Sequence, residues 1–202
     1  MSKGVIQRDD LFAKEQAYLN VIGGLVPERR FPKMVFLGVW RSFLFFESDR
    51  IFASGFVEVI ADLLRADNSS VCCLLNITEA GSSELYGESA IYVDSLFTES
   101  EYRARLRGDG PATGWLYSMD RYGCASNKGE WEIYCEKDSD IAVIGFRNEN
   151  GVRKFREAIR KLRAASIESL KDGELANLFP FSHLSLEWKR DLSNNYHSEN
   201  MR

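Results

Sequence analysis

Few side chains in this chain are spaced to do chemistry. Its two histidines, His183 and His197, both lie near the C-terminal end. A histidine general base or a His-rich metal site would have to recruit one of them. The four cysteines, at 72, 73, 124 and 135, form none of the CxxC pairs that metal or redox motifs use. Cys72 and Cys73 sit inside the apolar run Val71–Leu75, so buried, reduced thiols are expected. No HExxH or GxSxG occurs, and Gly23-Gly24 and Gly108-Asp109-Gly110 lack the pattern of a phosphate loop. Glu136, Asp138 and Asp140 alternate as oxygen ligands of a hard cation would, but Lys137–Asp140 reads more simply as a turn built on local Asp and Ser hydrogen bonds. No catalytic residue, metal ligand or cofactor follows from this set.

Two charged groupings remain. Glu130, Glu132, Tyr134, Glu136, Asp138 and Asp140 crowd one stretch, and together they can present carboxylates beside an aromatic ring to a partner protein. Immediately after them, residues 147–163 hold seven basic side chains against Glu149 and Glu157. Arg153, Arg156, Arg160 and Arg163 are the candidates for a basic face. Such a face can bind phosphates. No aromatics interleave with it and no base-reading motif accompanies it, so a solvated helix face is the simpler expectation and nucleic acid is not the expected partner.

The elements that carry these groups can be read from periodicity. Trp131–Glu136 and Ile141–Arg147 are strands joined by the charged turn. Alternation puts Trp131, Ile133 and Cys135 on one face and Glu132, Tyr134 and Glu136 on the other. The second strand is apolar on both faces, as a covered central strand would be. The first is therefore expected nearer an edge, with its acidic face wet. A long helix follows Gly151, its apolar stripe made by Val152, Phe155, Ile159 and Leu162.

Upstream, Leu11–Ile22 is an amphipathic run closed by two glycines. Met34–Trp40 reads as a buried strand that continues or folds back through Phe43–Phe46, and Ile51–Arg65 as a helix with one buried face. Val71–Ile77 reads as a strand. That order suggests one parallel crossover. Residues 79–95 have no clear period and 79–122 is where a carboxylate, arginine or tyrosine site would have to lie if the chain were an enzyme. Thr98-Glu-Ser-Glu101 matches a capping box that opens a helix to about Arg107, and Trp115–Tyr122 reads as a further strand. Weaker helical signals follow at Glu168–Leu178 and Leu184–Leu192, with a polar tail expected to fray from about 193.

With 45% hydrophobic and 28% charged residues over 202 positions, a full core can be built. The expected fold is a single α+β domain over 1–202, with a central mixed, largely antiparallel sheet packed by helices. A net charge of −4 argues against general nucleic-acid affinity. The first ten residues contain no apolar signal core and no run is long enough to span a bilayer, which makes a cytoplasmic protein without a membrane partner the expectation.

The segment Gly129–Phe146, an aromatic and charged strand, an acidic turn and then Asp-Ile-Ala-Val-Ile-Gly-Phe, resembles hairpins in small bacterial immunity proteins. The resemblance implies a cytoplasmic protein with no catalysis and no cofactor, which occludes a toxin domain, often a basic nuclease, with an acidic and aromatic surface. An enzyme using carboxylates and arginines, and a nucleic-acid-binding regulator acting through the 153–163 helix, are the two alternatives.

Overall fold

The computed structural model describes residues 3–78, 89–172, 177 and 179–196. Its centre is a six-stranded sheet in the order β1-β6-β5-β4-β2-β3, formed by β1 (Ser42–Glu47), β2 (Val71–Asn76), β3 (Ala90–Asp94), β4 (Arg121–Ser126), β5 (Trp131–Glu136) and β6 (Ile141–Phe146). Every pairing is antiparallel. The expected crossover is present in a different form. β1 and β2 run in the same direction, but β6, β5 and β4 lie between them, so no parallel pair is made.

Both faces of the sheet are covered, which makes three layers. On one side lie α2 (Phe56–Asp67), α3 (Glu99–Arg107) and two short helices, α4 (Gly151–Lys154) and α5 (Arg156–Leu162). They pack Ile60, Leu63, Tyr102, Leu106, Phe155 and Leu162 onto Cys72, Cys124, Trp131, Ile133, Cys135 and Ile144. On the other side lie α1 (Lys3–Gly24), residues 25–40, α6 (Ile167–Asp172) and α7 (Leu186–Tyr196). There Val21, Leu25, Phe31, Leu192 and Tyr196 meet Phe45, Cys73, Ala125, Tyr134 and Val143. All four cysteines are free and buried.

Close approach is what lets α1 seal its face. A Cβ on Gly123 of β4 would stand 2.6 Å from Val21 Cγ1 and 2.7 Å from Leu25 Cδ1, so the helix rests on bare backbone there. The capping box of α3 forms as its sequence requires. Thr98 Oγ1 accepts from the Glu101 N–H at 3.3 Å, and the Glu101 carboxylate accepts from the Thr98 N–H at 2.8 Å. Thr98→Ala is expected to cost about 1 kcal/mol, read as a lower midpoint in thermal denaturation.

Several expectations shift. Met34–Trp40 is not a strand; only Phe36 makes an isolated bridge, to Leu25, and Gly38 takes φ +86°, which breaks an extended run. The region Trp115–Tyr122 is a 3-10 turn at Trp115–Tyr117, and the strand begins later, at Arg121. The Ile51–Arg65 segment splits into a 3-10 turn, Ser48–Phe52, and α2. The long basic helix is broken at Phe155, whose ring stacks on Phe146 at 5.3 Å. Of the ambiguous 79–95, Ala90–Asp94 is an edge strand, and 79–88 lies outside the described residues.

The C-terminal end is the clearest correction. α7 continues to Tyr196, whose ring is 1% exposed within the core. Its hydroxyl donates to the Lys33 carbonyl at 2.9 Å and accepts from the Val35 N–H at 3.1 Å. One well-placed aromatic ring outweighs a polar surrounding sequence. His197 lies outside the described residues.

Candidate functional site

β5 is a central strand, third in the sheet, and this overturns the expected wet face. Glu132, Tyr134 and Glu136 are 1%, 2% and 5% exposed. Period-two alternation sorted the side chains between the two faces correctly. It carries no information on whether the second face is covered, and α1, residues 25–40 and α7 cover it.

At the turn end of the hairpin these side chains tie loops to the sheet. The Tyr134 hydroxyl donates to Glu136 Oε2 at 2.8 Å, and the Phe31 N–H donates to the same oxygen at 3.2 Å. Arg121, opposite Glu136 in β4, donates to the Pro27 carbonyl. Arg30 pairs with Asp138 at 2.7 Å, and that hydrogen bond raises the Arg30 pKa. Burial first, then the Glu136 charge, pushes the Tyr134 hydroxyl up. Such a network fixes residues 27–35 on the core.

The remaining acidic candidates are also engaged. Glu130 pairs with Lys154 of α4. Asp140 holds φ +58° at the end of a 3-10 turn and its N–H donates to the Lys137 carbonyl at 3.2 Å, so Lys137–Asp140 is the expected turn. Burial, and then Asp49, raise the Asp140 pKa. Lys137 itself is buried, donating to the carbonyls of Trp115 and Leu116 over the Phe52 ring.

Glu132 is the exception, because its burial is poorly compensated. Its Oε1 has no hydrogen-bond partner, and its Oε2 lies where a Cβ of Gly24 would be, against the last turn of α1. Burial raises its pKa well above the carboxylate range, and the Arg147 guanidinium only partly opposes this.

A cavity of about 650 Å³ lies beside β3, lined in part by Tyr92, Asp94, Arg105, Asp109 and Trp115, within the stretch where an enzyme site was to be sought. Among the described residues, the groups with strongly displaced protonation lie elsewhere. Glu132, Tyr102, Tyr134, Tyr196, Cys73, Cys124 and Cys135 are all in the core, and none lines this cavity.

The surface feature that sequence reading missed is on α1. Its inner side, Ala17, Val21 and Leu25, is buried, while its outer side carries Leu11, Phe12, Leu19 and Ile22, between 41% and 63% exposed. Leu37 and Val39 are further exposed apolar residues in the segment that follows the helix. The Leu37 N–H donates to the Gly24 carbonyl at 2.7 Å, which places it at the end of the helix, and both side chains are more than half exposed. The signal was present in the sequence. Apolar residues occur on all sides of 11–22, more than one buried face can use.

Among the described residues no helix is long and apolar enough to cross a membrane, and no three His, Cys, Asp or Glu side chains are gathered to hold a metal ion. Compared with family models, curated proteins and solved structures, the chain matches none.

Proposed function

We propose that this chain is a non-catalytic protein-binding domain, and that it acts as an immunity protein by binding and neutralising a bacterial toxin in the cytoplasm. The observation that carries the binding reading is the outer stripe of α1. Four large apolar side chains, Leu11, Phe12, Leu19 and Ile22, fall by their spacing on one side of the helix and stand in water, while its other side is already buried. Contiguous exposed apolar surface on a soluble domain marks an interaction site. Covering each of these half-exposed side chains is worth roughly 1 kcal/mol.

The contact surface differs from the one expected of the hairpin. On α1, Asp9, Asp10 and Glu15 accompany Phe12 and are matched in number by Lys3, Arg8 and Lys14, the last paired with Asp10 at 2.8 Å, so the apolar anchors rather than net charge support this surface. Apolar anchors of this kind hold a partner once it is docked.

The test is co-expression of the tagged protein with the products of neighbouring reading frames. A stoichiometric complex with a toxic basic domain is expected. Purification of the protein alone in the presence of every neighbour would overturn the immunity reading.

A further inference from the structure

The structure divides the seven cations of residues 147–163 into two groups. Three are consumed within the fold. Arg147 stacks on Trp40 at 4.2 Å and donates to the Gly129 carbonyl, Lys154 pairs with Glu130, and Lys161 pairs with Asp62 at 2.8 Å and Glu58 at 3.2 Å. These contacts hold α4 and α5 rigidly against the sheet and α2.

The other four, Arg153, Arg156, Arg160 and Arg163, are exposed. Arg156 and Arg160 share one carboxylate, Glu157, at 3.6 and 3.3 Å, and their side chains remain 78% and 72% exposed. Arg153 contacts only the Asn150 side-chain carbonyl, at 3.4 Å. Arg163 makes no ion pair among the described residues. Arg156 and Arg160, four residues apart, therefore share one side of α5, and the exposed Arg153 and Arg163 flank that helix at its two ends, with Glu157 as the acid paired to Arg156 and Arg160.

Arg163 adds an independent sign. It caps α5 in the left-handed region at φ +54°. Among the described residues the other two non-glycine positions with positive φ are Asn68 and Asp140, the types that tolerate it. An arginine there spends stability that glycine would save, as residues kept for function do.

We infer that this arginine face binds the phosphate backbone of a nucleic acid. The choice among anionic partners rests on what the face lacks. A protein interface needs apolar anchors, and an anionic membrane surface is answered by clusters of roughly four to eight Lys/Arg beside a membrane helix or on an amphipathic helix, neither of which this face provides. The large apolar side chain exposed on α4 and α5 is Val152, at 38%, whereas phosphate recognition requires cations alone. The acidic excess of the rest of the chain does not decide the matter, because the cations are segregated on a surface that α1 does not share.

The test is fluorescence anisotropy with a labelled 20-nucleotide single-stranded RNA and a 20-base-pair DNA duplex at 25–200 mM salt, with anionic vesicles and an acidic protein as competing arms. Binding to at least one nucleic acid is expected, with log K falling against log salt with a slope of about −3 for four phosphate contacts. R153E/R156E/R160E is expected to weaken it at least tenfold. R163G is expected to weaken it severalfold while raising the thermal midpoint, a combination that damage to the fold would not give. Absence of binding at 25 mM salt, binding unchanged in the triple variant, or retention on vesicles or acidic protein alone would overturn the inference. None of these outcomes bears on the α1 stripe, which lies on the opposite face of the sheet.

Discussion

Replacing Glu132 with glutamine is expected to leave stability almost unchanged at low pH and to stabilise the protein increasingly as pH rises. Burial disfavours the charge of this carboxyl and raises its pKa well above the ordinary range. In the unfolded chain the same group ionises in the ordinary carboxylate range. The folded state therefore binds the extra proton throughout the interval between the two values. The stability linked to that proton is complete below the unfolded value and is lost as pH climbs toward the folded one. One proton corresponds to about 1.4 kcal/mol per pH unit across that window. Glutamine is close in shape and cannot ionise, so the gap between variant and wild type should open as pH rises above the ordinary carboxylate range. Urea denaturation at a series of pH values reads it directly. A gap that stays constant would mean that Glu132 is ionised and compensated in the fold. The structural cause would then have to be sought in Arg147.

Phe12→Asp with Leu19→Asp is expected to weaken partner binding at least a hundredfold and to leave the fold intact. Both side chains project from the outer side of α1, 63% and 44% exposed, so their removal opens no cavity. Each aspartate would be desolvated in the complex unless the partner supplied a cation, and each removes an anchor as well. A hundredfold loss is about 2.7 kcal/mol, to which the lost burial of the two side chains contributes about 2 kcal/mol and desolvation of the aspartates the remainder. Thermal midpoints within a degree or two of wild type, together with the lost affinity by calorimetry, would place the contact on the stripe. The same change in Ala17 or Val21, which are 0% and 1% exposed, would unfold the protein and could not make this distinction.

Much of the fold was legible because it rests on strong local signals. The Thr98–Glu101 box, the apolar run at Val71, the two hairpin strands and the stripe of α2 each declare themselves within a dozen residues. What was not legible is the third layer. Residues 25–40 reach their place through single anchors, Phe31 beneath Tyr134 at 5.1 Å and the Lys33 and Val35 peptide groups on Tyr196. No period announces such contacts. Because that layer was invisible, the acidic face of β5 appeared wet. Glu132, Tyr134 and Glu136 were then read as a docking surface, although they support the loop packed over them. The outer side of α1 was passed over for the complementary reason. Its apolar residues look like core until the sheet shows that one side of the helix is enough. The basic face was identified residue by residue, but the sequence could not show that Lys154 and Lys161 are spent on ion pairs while the four arginines are left over.

The most direct test of the account is growth rescue in cells expressing the toxic neighbour. Wild-type protein and E132Q are expected to restore growth at matched expression, and F12D/L19D is expected to fail although it accumulates in folded form. Equal rescue by the stripe variant would contradict the placement of the contact on α1, and failure of the wild type against every neighbouring product would contradict the neutralising role itself.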